Sequence, residues 1–189
     1  MLEIIENQKF QKLKSTETAL KRAEYEYCEF EDCDFSDYNL GNFIFTECTF
    51  KNCNLSNANL GNTALKDVKF YNCKALGLHF SNCNPFLLEI NFYDCMLNHS
   101  SFYKLNLKKT TFKNCSLEET DFVESNLSQA DFNNSNLLGA IFENSILEKT
   151  DFRNAHNFRI NPTTNRMSKA LFSKDNLSGL LSAFNIVIQ

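Results

Sequence analysis

The residues of this chain best suited to chemistry are its cysteines. The 189 residues include eight of them, among which Cys28 and Cys33, like Cys48 and Cys53, stand five apart. Thiols can ligate zinc, but structural zinc sites are typically built on more closely spaced Cys pairs whose partners converge on the metal. The spacing therefore favours buried thiols that pack as small apolar side chains over metal ligands.

The three histidines do not add a catalytic arrangement. None adjoins a serine, cysteine or carboxylate pattern typical of a triad, and we expect surface positions for His79, His99 and His156. The sequence also has no Gly-rich phosphate loop, no HExxH and no CxxC motif. It therefore predicts a protein that is not an enzyme and has no metal or cofactor.

The elements that position these residues follow a repeat with a period of five. In residues 120–152, TDFVESNLSQADFNNSNLLGAIFENSILEKTDF, a Phe or a Leu recurs at every fifth position, whereas helices repeat every 3.6 residues and strands every two. Counting back from Phe152 in fives gives only Phe or Leu as far as Leu87. A second register runs from Leu20 to Phe80 and is shifted by two residues. The shift falls within 81–89, SNCNPFLLE, which we interpret as a short bulge or loop.

A square coil explains this period. If five residues form one side and four sides form a layer, residues 20 apart stack at the inter-strand spacing of about 4.8 Å. Leu87 would then stack below the next Leu residues of its column, and two opposite sides would be lined by Phe and two by Leu. The predicted core includes Phe92, Phe112, Phe132, Phe152, Leu107, Leu127 and Leu147.

The position two residues before each of these central residues is also restricted. It holds mostly Cys, Ala, Ser or Thr, as at Cys33, Thr63 and Ala130, and all eight cysteines occupy it. We expect these small side chains to point inward and fill the corners of the coil, where bulk does not fit. Cys33, Cys53 and Cys73 should form one buried column.

The pentapeptides QADFN, SNLSQ and TDFRN resemble the motif A(D/N)LXX of the pentapeptide-repeat proteins. The resemblance covers about residues 20–160 and implies an all-β fold, a right-handed quadrilateral β-helix. It divides the single domain into an N-terminal cap (1–19), a first repeat block (20–85), a second block (86–160) and a C-terminal cap and dimerisation segment (161–189).

The tail resembles the C-terminal cap of the Qnr and MfpA group of this family, in which the coil ends in a short helix and an apolar strand. Ser173 is a plausible N-cap with Asp175 in the first turn. The resemblance implies a two-fold homodimer through the tail. The residues expected at that interface are Leu177, Leu180, Leu181, Phe184, Ile186 and Ile188.

Charge is the feature that bears on partners. The net charge is −4, which does not favour nucleic acid, and acidic residues concentrate in 24–47 and 118–151 around a neutral to basic middle. An acidic rod can present charge as duplex DNA does, although solubilising surface charge explains the same residues. The acids predicted to contact a partner are Glu29, Asp32, Asp37, Glu118, Glu119, Glu124, Glu143 and Glu148. The phase break supplies a loop contact at Asn84, Pro85 and Phe86.

The resemblance to the Qnr group implies a DNA mimic that binds type II topoisomerase, DNA gyrase or topoisomerase IV, and protects it from fluoroquinolones. The alternative is a scaffold or interaction module for an unrelated partner, which the basic stretch Lys104 to Lys113 favours. No apolar run is long enough to span a membrane, and the N-terminus has no signal-peptide features, so we expect a cytoplasmic protein with reduced thiols.

Overall fold

Parallel pairing at an offset of 20 residues organises the chain. The structure, a computed structural model, describes residues 2–14, 17, 19–184 and 186. Ten short strands pair in register, as in Tyr25 with Phe45 and Phe45 with Leu65. Beyond the strands, single bridges such as Asp121 with Ile141 continue the same offset. This is the parallel four-sided β-helix of pentapeptide repeats, as the period of five predicts.

The strands form two sheets on adjacent sides of the coil. The first has the order β1-β3-β5-β7 and the second β10-β9-β8-β6-β4-β2. The strands are β1 (Ile4–Glu6), β2 (Lys9–Gln11), β3 (Glu24–Glu26), β4 (Glu29–Glu31), β5 (Ile44–Thr46), β6 (Thr49–Lys51), β7 (Ala64–Lys66), β8 (Val68–Tyr71), β9 (Ile90–Tyr93) and β10 (Phe112–Lys113). A 3₁₀ turn spans Phe80–Asn82. Because β1 pairs with β3 and β2 with β4, the segment expected as an N-terminal cap contains a layer of the coil itself.

The four sides are named here by the central residues of the second block. Side 1 is centred on Leu107, Leu127 and Leu147; side 2 on Phe112, Phe132 and Phe152; side 3 on Leu97, Leu117 and Leu137; side 4 on Phe102, Phe122 and Phe142. All of these side chains are buried, and so is Phe92. Within a column the rings stack, and the two opposite Phe columns meet edge to face, as Phe122 and Phe132 do at 5.7 Å and 88°.

The small residues two positions before the central ones are buried and hydrogen-bonded. Ser145 Oγ donates to the carbonyl of Phe122 at 2.7 Å, and Thr150 Oγ1 donates to that of Leu127 at the same distance. Cysteine thiols make the same bond more weakly, as from Cys53 Sγ to Phe30 O at 3.4 Å. A polar residue at this position thus satisfies its buried donor on a carbonyl of the preceding layer, whereas Ala58, Ala130 and Ala140 fill the same space without a hydrogen bond.

Small volume is not obligatory there, contrary to the sequence-based expectation. Phe43, Leu78 and Leu105 occupy the same repeat position and are nonetheless buried. The Phe43 ring stacks near Tyr25 and Phe45, with centroids 6.3 and 6.0 Å away. A corner of the coil thus accepts a larger side chain where neighbouring rings leave space for it.

Most corners of the coil place one residue in the left-handed region. The residue two positions after the central one has positive φ at most repeats, as in Asn62 (57°), Asn134 (57°) and Gly139 (71°), but not at Asn82 or Asn154. In many layers a β-turn closes the corner, with Ala130 N donating to Leu127 O at 2.9 Å. Asn and Gly adopt this conformation at little cost, which explains the frequency of Asn at the position.

The phase break is a two-residue insertion. Ala64 pairs with Asn84 at an offset of 20, but Val68 pairs with Ile90 at 22. The extra residues bulge outward between these points. The prediction that Leu87 belongs to a buried Leu column is wrong, because Leu87 is 63% exposed and Leu88 packs against the core instead. The period of five, counted back from Phe152, therefore places the buried residue one position too early, at Leu87 instead of Leu88.

The C-terminal end of the coil is covered by a short helical segment. It comprises a 3₁₀ turn at Lys174–Asn176, helix α1 at Ser178–Leu181 and a 3₁₀ turn at Ser182–Phe184. Ser173 precedes it as the N-cap residue, without a side-chain capping bond. In the described part of the chain, no helix has the length and apolarity needed to cross a membrane.

Candidate interaction surface

The acids predicted to contact a partner do not share one face. Register places Glu29 and Asp32 on side 2, Glu148 on side 1, and Asp37, Glu118 and Glu119 on side 3, while Glu124 and Glu143 lie on side 4. Several also have local basic partners, as Glu148 has in Arg166 at 2.7 Å. The coil therefore disperses half of the predicted acidic surface.

Glu29 shows how the first acidic segment is neutralised. Its carboxylate lies 2.5 Å from Lys51 Nζ and 2.9 Å from Lys9 Nζ, because residues 9, 29 and 51 lie on consecutive strands of one sheet. The Lys51 and Lys9 ammonium groups hold the pKa of Glu29 below its usual value. This carboxylate is occupied within the coil and is a poor contact for a basic partner.

Acidic residues concentrate from the end of side 3 to the end of side 4. We call this surface the acidic edge; it consists of Glu118, Glu119, Asp121, Glu124 and Glu143. Four of the five lie in one layer, and Glu143 lies in the next, where its carbonyl accepts a bond from Glu124 N at 2.9 Å. The layers are about 4.8 Å apart, so Glu124 and Glu143 adjoin along the rod, while Glu118, Glu119 and Asp121 follow one another around the corner between sides 3 and 4.

The ion pair and hydrogen bonds of the acidic edge leave most of its negative charge available to a binding partner. Lys104 Nζ lies 3.4 Å from Glu124, and Tyr103 Oη donates to the same carboxylate at 3.3 Å. Glu119 lies 3.3 Å from His99 Nδ1, and Glu118 accepts a bond from the Asn136 amide at 2.8 Å. Among the described residues, Lys104 is the one lysine or arginine that forms an ion pair with these carboxylates, and Arg159 lines a shallow groove beside Glu143.

The loop at the phase break projects apolar side chains. Asn84 Oδ1 accepts a bond from Phe86 N at 2.9 Å, which fixes the turn through the exposed Pro85. Phe86 is 69% exposed and its neighbour Leu87 is also exposed. The predicted loop contact therefore has an accessible aromatic tip, which lies on side 1, away from the acidic edge.

The helical cap divides the predicted dimer residues into two groups. Leu180 packs against the core, whereas Leu177, Leu181, Phe184 and Ile186 are exposed. Ile188 lies outside the described residues. Gly179 makes the docking possible: a Cβ there would lie 2.4 Å from Phe158 O, and its own carbonyl accepts a bond from Ile160 N at 3.1 Å.

The thiols and imidazoles form no reactive centre in the described residues. All eight cysteines are free and buried, and burial raises the pKa of Cys48 and Cys83 to about 12, so these thiols stay protonated at neutral pH. The three histidines are exposed. Within 2–14, 17, 19–184 and 186, no three Cys, His, Asp or Glu side chains converge as a metal site would require.

Comparison with known proteins agrees with this architecture. A model of the pentapeptide repeat region matches residues 23–90 and 87–157. Two trypsin-treated variants of QnrB1, a plasmid-mediated fluoroquinolone resistance protein, share the fold at 16% identity, with TM-scores of 0.64 and 0.63, covering all of this chain and 98% and 100% of theirs.

HetL, involved in heterocyst differentiation regulation in the cyanobacterium Nostoc, is similar at 13% identity and a TM-score of 0.53, over 98% of this chain and 92% of its own. No curated protein matches the sequence. The solved structures establish the fold alone, since their identities are low, whereas the family model covers most of the chain. The repeat, the four-sided coil and this match together show that the chain belongs to the pentapeptide repeat family.

Proposed function

We propose that this protein is a non-enzymatic binding rod that docks on type II topoisomerase, DNA gyrase or topoisomerase IV, at the surface that otherwise holds duplex DNA. The observation that carries the proposal is the acidic edge. The similarity in fold to QnrB1, a fluoroquinolone resistance protein, supports the choice of partner. A protein bound in this way would protect the enzyme from fluoroquinolones by occupying the DNA site.

The charge density of the acidic edge suits this role. Five carboxylates occupy two layers, or roughly 10 Å of the coil axis at about 4.8 Å per layer. This corresponds to about one charge per 2 Å, close to the one per 1.7 Å that duplex DNA presents. A basic groove built for DNA would therefore meet a similar linear charge on this rod.

Supercoiling by purified gyrase, with and without ciprofloxacin, tests the proposal. The wild-type protein should restore supercoiling in the presence of drug. The variant Glu118→Lys, Glu119→Lys, Asp121→Lys, Glu124→Lys should not. A control variant reverses four exposed acids elsewhere, Glu6→Lys, Glu47→Lys, Glu89→Lys and Asp94→Lys, and should keep the effect.

If both variants lost protection equally, protection would depend on the net charge of the protein, and the role of the acidic edge would be overturned. No effect of the wild-type protein on either topoisomerase would exclude this partner. It would favour the alternative, a scaffold for another protein. The observation supporting that alternative is the group Lys108, Lys109 and Lys113 in one layer of sides 1 and 2, where no ion pair engages them in the described residues.

We also propose that two copies associate through the exposed apolar face of the helical cap. Leu177, Leu181 and Phe184 lie four and three residues apart, so they project on one side of the segment, away from the core. Sedimentation of the wild-type protein should give a dimer, and Leu177→Ser, Leu181→Ser, Phe184→Ser a monomer. Met96→Ser changes an equally exposed side chain on side 3 and should remain dimeric; a wild-type monomer would refute the proposal.

A further inference from the structure

Exposed aliphatic side chains interrupt the acidic edge. Leu138 and Ile141 belong to the same corner of the coil and are 53% and 46% exposed. A surface that only imitated the phosphates of DNA would have no use for them, because phosphate recognition is electrostatic. Their position among the carboxylates points to a contact of another kind.

The register places each aliphatic side chain directly beside an acid. Leu138 follows Glu118 by 20 residues and its carbonyl accepts a bond from Glu119 N at 2.8 Å. Ile141 forms a bridge with Asp121 in the same way. An apolar layer therefore lies against an acidic layer, about 4.8 Å away.

Gly139 opens a notch between the two aliphatic side chains. It occupies the corner at a φ of 71°, directly over Glu119, and a Cβ there would approach Glu119 Cγ to 3.1 Å. With no side chain at the corner, Leu138 and Ile141 flank an open stretch of backbone. Beyond Leu138, a groove of about 630 Å³ continues between the coil and the cap, where Arg159 and Asp175 supply one charge of each sign.

We propose that the acidic edge binds a basic amphipathic segment of a partner protein, whose apolar side chains pack on Leu138 and Ile141 while its lysines or arginines pair with the flanking glutamates. The inference rests on the proposed function and specifies the chemistry of the partner's contacting element. Because the acidic edge is negatively charged, it repels nucleic acid and anionic lipid. Apolar contact adds affinity that salt does not screen, whereas the ion pairs weaken with ionic strength.

Two synthetic helical peptides of equal positive charge provide the test. One has a strip of leucines flanked on both sides by its lysines, and in the other these leucines are glutamines. Binding is measured by fluorescence anisotropy over a series of NaCl concentrations. The wild-type protein should bind the leucine peptide at least tenfold more tightly than the glutamine peptide.

Substitutions should separate the two contributions. The variant Leu138→Ser, Ile141→Ser should lose the preference for leucine while its salt dependence is unchanged. Glu118→Gln, Glu119→Gln should keep the preference with a shallower salt dependence. Ile4→Ser, Leu171→Ser alters comparably exposed aliphatic residues on sides 1 and 2 and should behave as wild type, and circular dichroism checks that each variant is folded.

Equal binding of the two peptides by the wild-type protein would overturn the inference, as would an equal loss of preference in the Ile4→Ser, Leu171→Ser control. The gyrase assay remains a separate arm. If the leucine preference is found but gyrase is unaffected, the topoisomerase proposal fails and the amphipathic binding surface stands. If gyrase is protected and the Leu138→Ser, Ile141→Ser variant protects as well as wild type, binding is purely electrostatic and the inference fails.

Discussion

Removing the Phe122 ring should be among the most destabilising single changes in the coil. The side chain is fully buried, stacked between Phe102 and Phe142 at 5.1 and 5.0 Å. It also meets Phe112 and Phe132 edge to face at 5.6 and 5.7 Å. Truncating a buried Phe to Ala costs roughly 3–5 kcal/mol through lost transfer energy and the cavity left behind.

The four ring contacts place Phe122→Ala at the upper end of that range, because each aromatic pair contributes about 0.5–1.5 kcal/mol beyond buried area. We expect a loss of about 4–5 kcal/mol in the free energy of unfolding. Urea denaturation followed by far-UV circular dichroism measures it, since the chain has no tryptophan. Phe86→Ala, at the exposed loop tip, is the matched control and should cost less than about 0.5 kcal/mol.

Leu127→Ala gives an intermediate reference. Leu127 is equally buried but makes no ring–ring pair, so its truncation should cost about 3 kcal/mol. The reasoning would be refuted if Phe122→Ala and Phe86→Ala differed by less than about 1 kcal/mol. That result would mean that the Phe columns do not hold opposite sides of the coil together.

Three further predictions concern the cap, a corner and an ion pair. Gly179→Ala should lower the free energy of unfolding by about 1–3 kcal/mol, because the added Cβ would collide with Phe158. A thermal melt measures the loss, and a melt like that of the wild-type protein would show that the cap does not pack on Phe158. Lys149→Asn should stabilise by roughly 0.5–1 kcal/mol in urea denaturation, since Lys149 has a φ of 58° that Asn tolerates better; no gain would mean that the corner is unstrained. The pKa of Glu29 is lowered in the folded protein, above all by Lys51, so the ion pair stabilises the fold fully at pH values above the pKa of Glu29 in the unfolded chain. This stabilisation is lost as the pH falls through the pKa of Glu29 in the folded protein. Glu29→Gln should therefore flatten the fall in melting temperature between pH 6 and about pH 3, and an unchanged slope would contradict the ion pair's contribution.

The sequence by itself determined the coil and most of its core. A Phe or Leu at every fifth position can face a common interior only if each pentapeptide turns the chain by one side. Alternation of Phe and Leu then excludes three sides per layer and is explained by four. Neither inference needs coordinates, because each follows from the period and from the requirement that large apolar side chains be buried.

Periodicity failed at positions where the chain departs from the repeat. The period locates the phase break but not the residue at which the core resumes, because counting in fives places Leu87 inside, where Leu88 packs instead. Likewise, Phe43 and Leu105 fill corners that the pattern reserves for small residues. Which larger side chain fits depends on the rings around it, and this is a property of packing in three dimensions.

Only the tertiary structure decided which charges act together. In sequence, Glu29 and Glu118 belong to similar acidic stretches. Coiling places Glu29 between Lys9 and Lys51 from neighbouring layers, whereas Glu118 lies with four other acids and the aliphatic Leu138 on sides 3 and 4. The physical reason is that each side chain's neighbours on this surface are set by the offset of about 20 residues, so the electrostatic environment of a residue is determined by the layers above and below it.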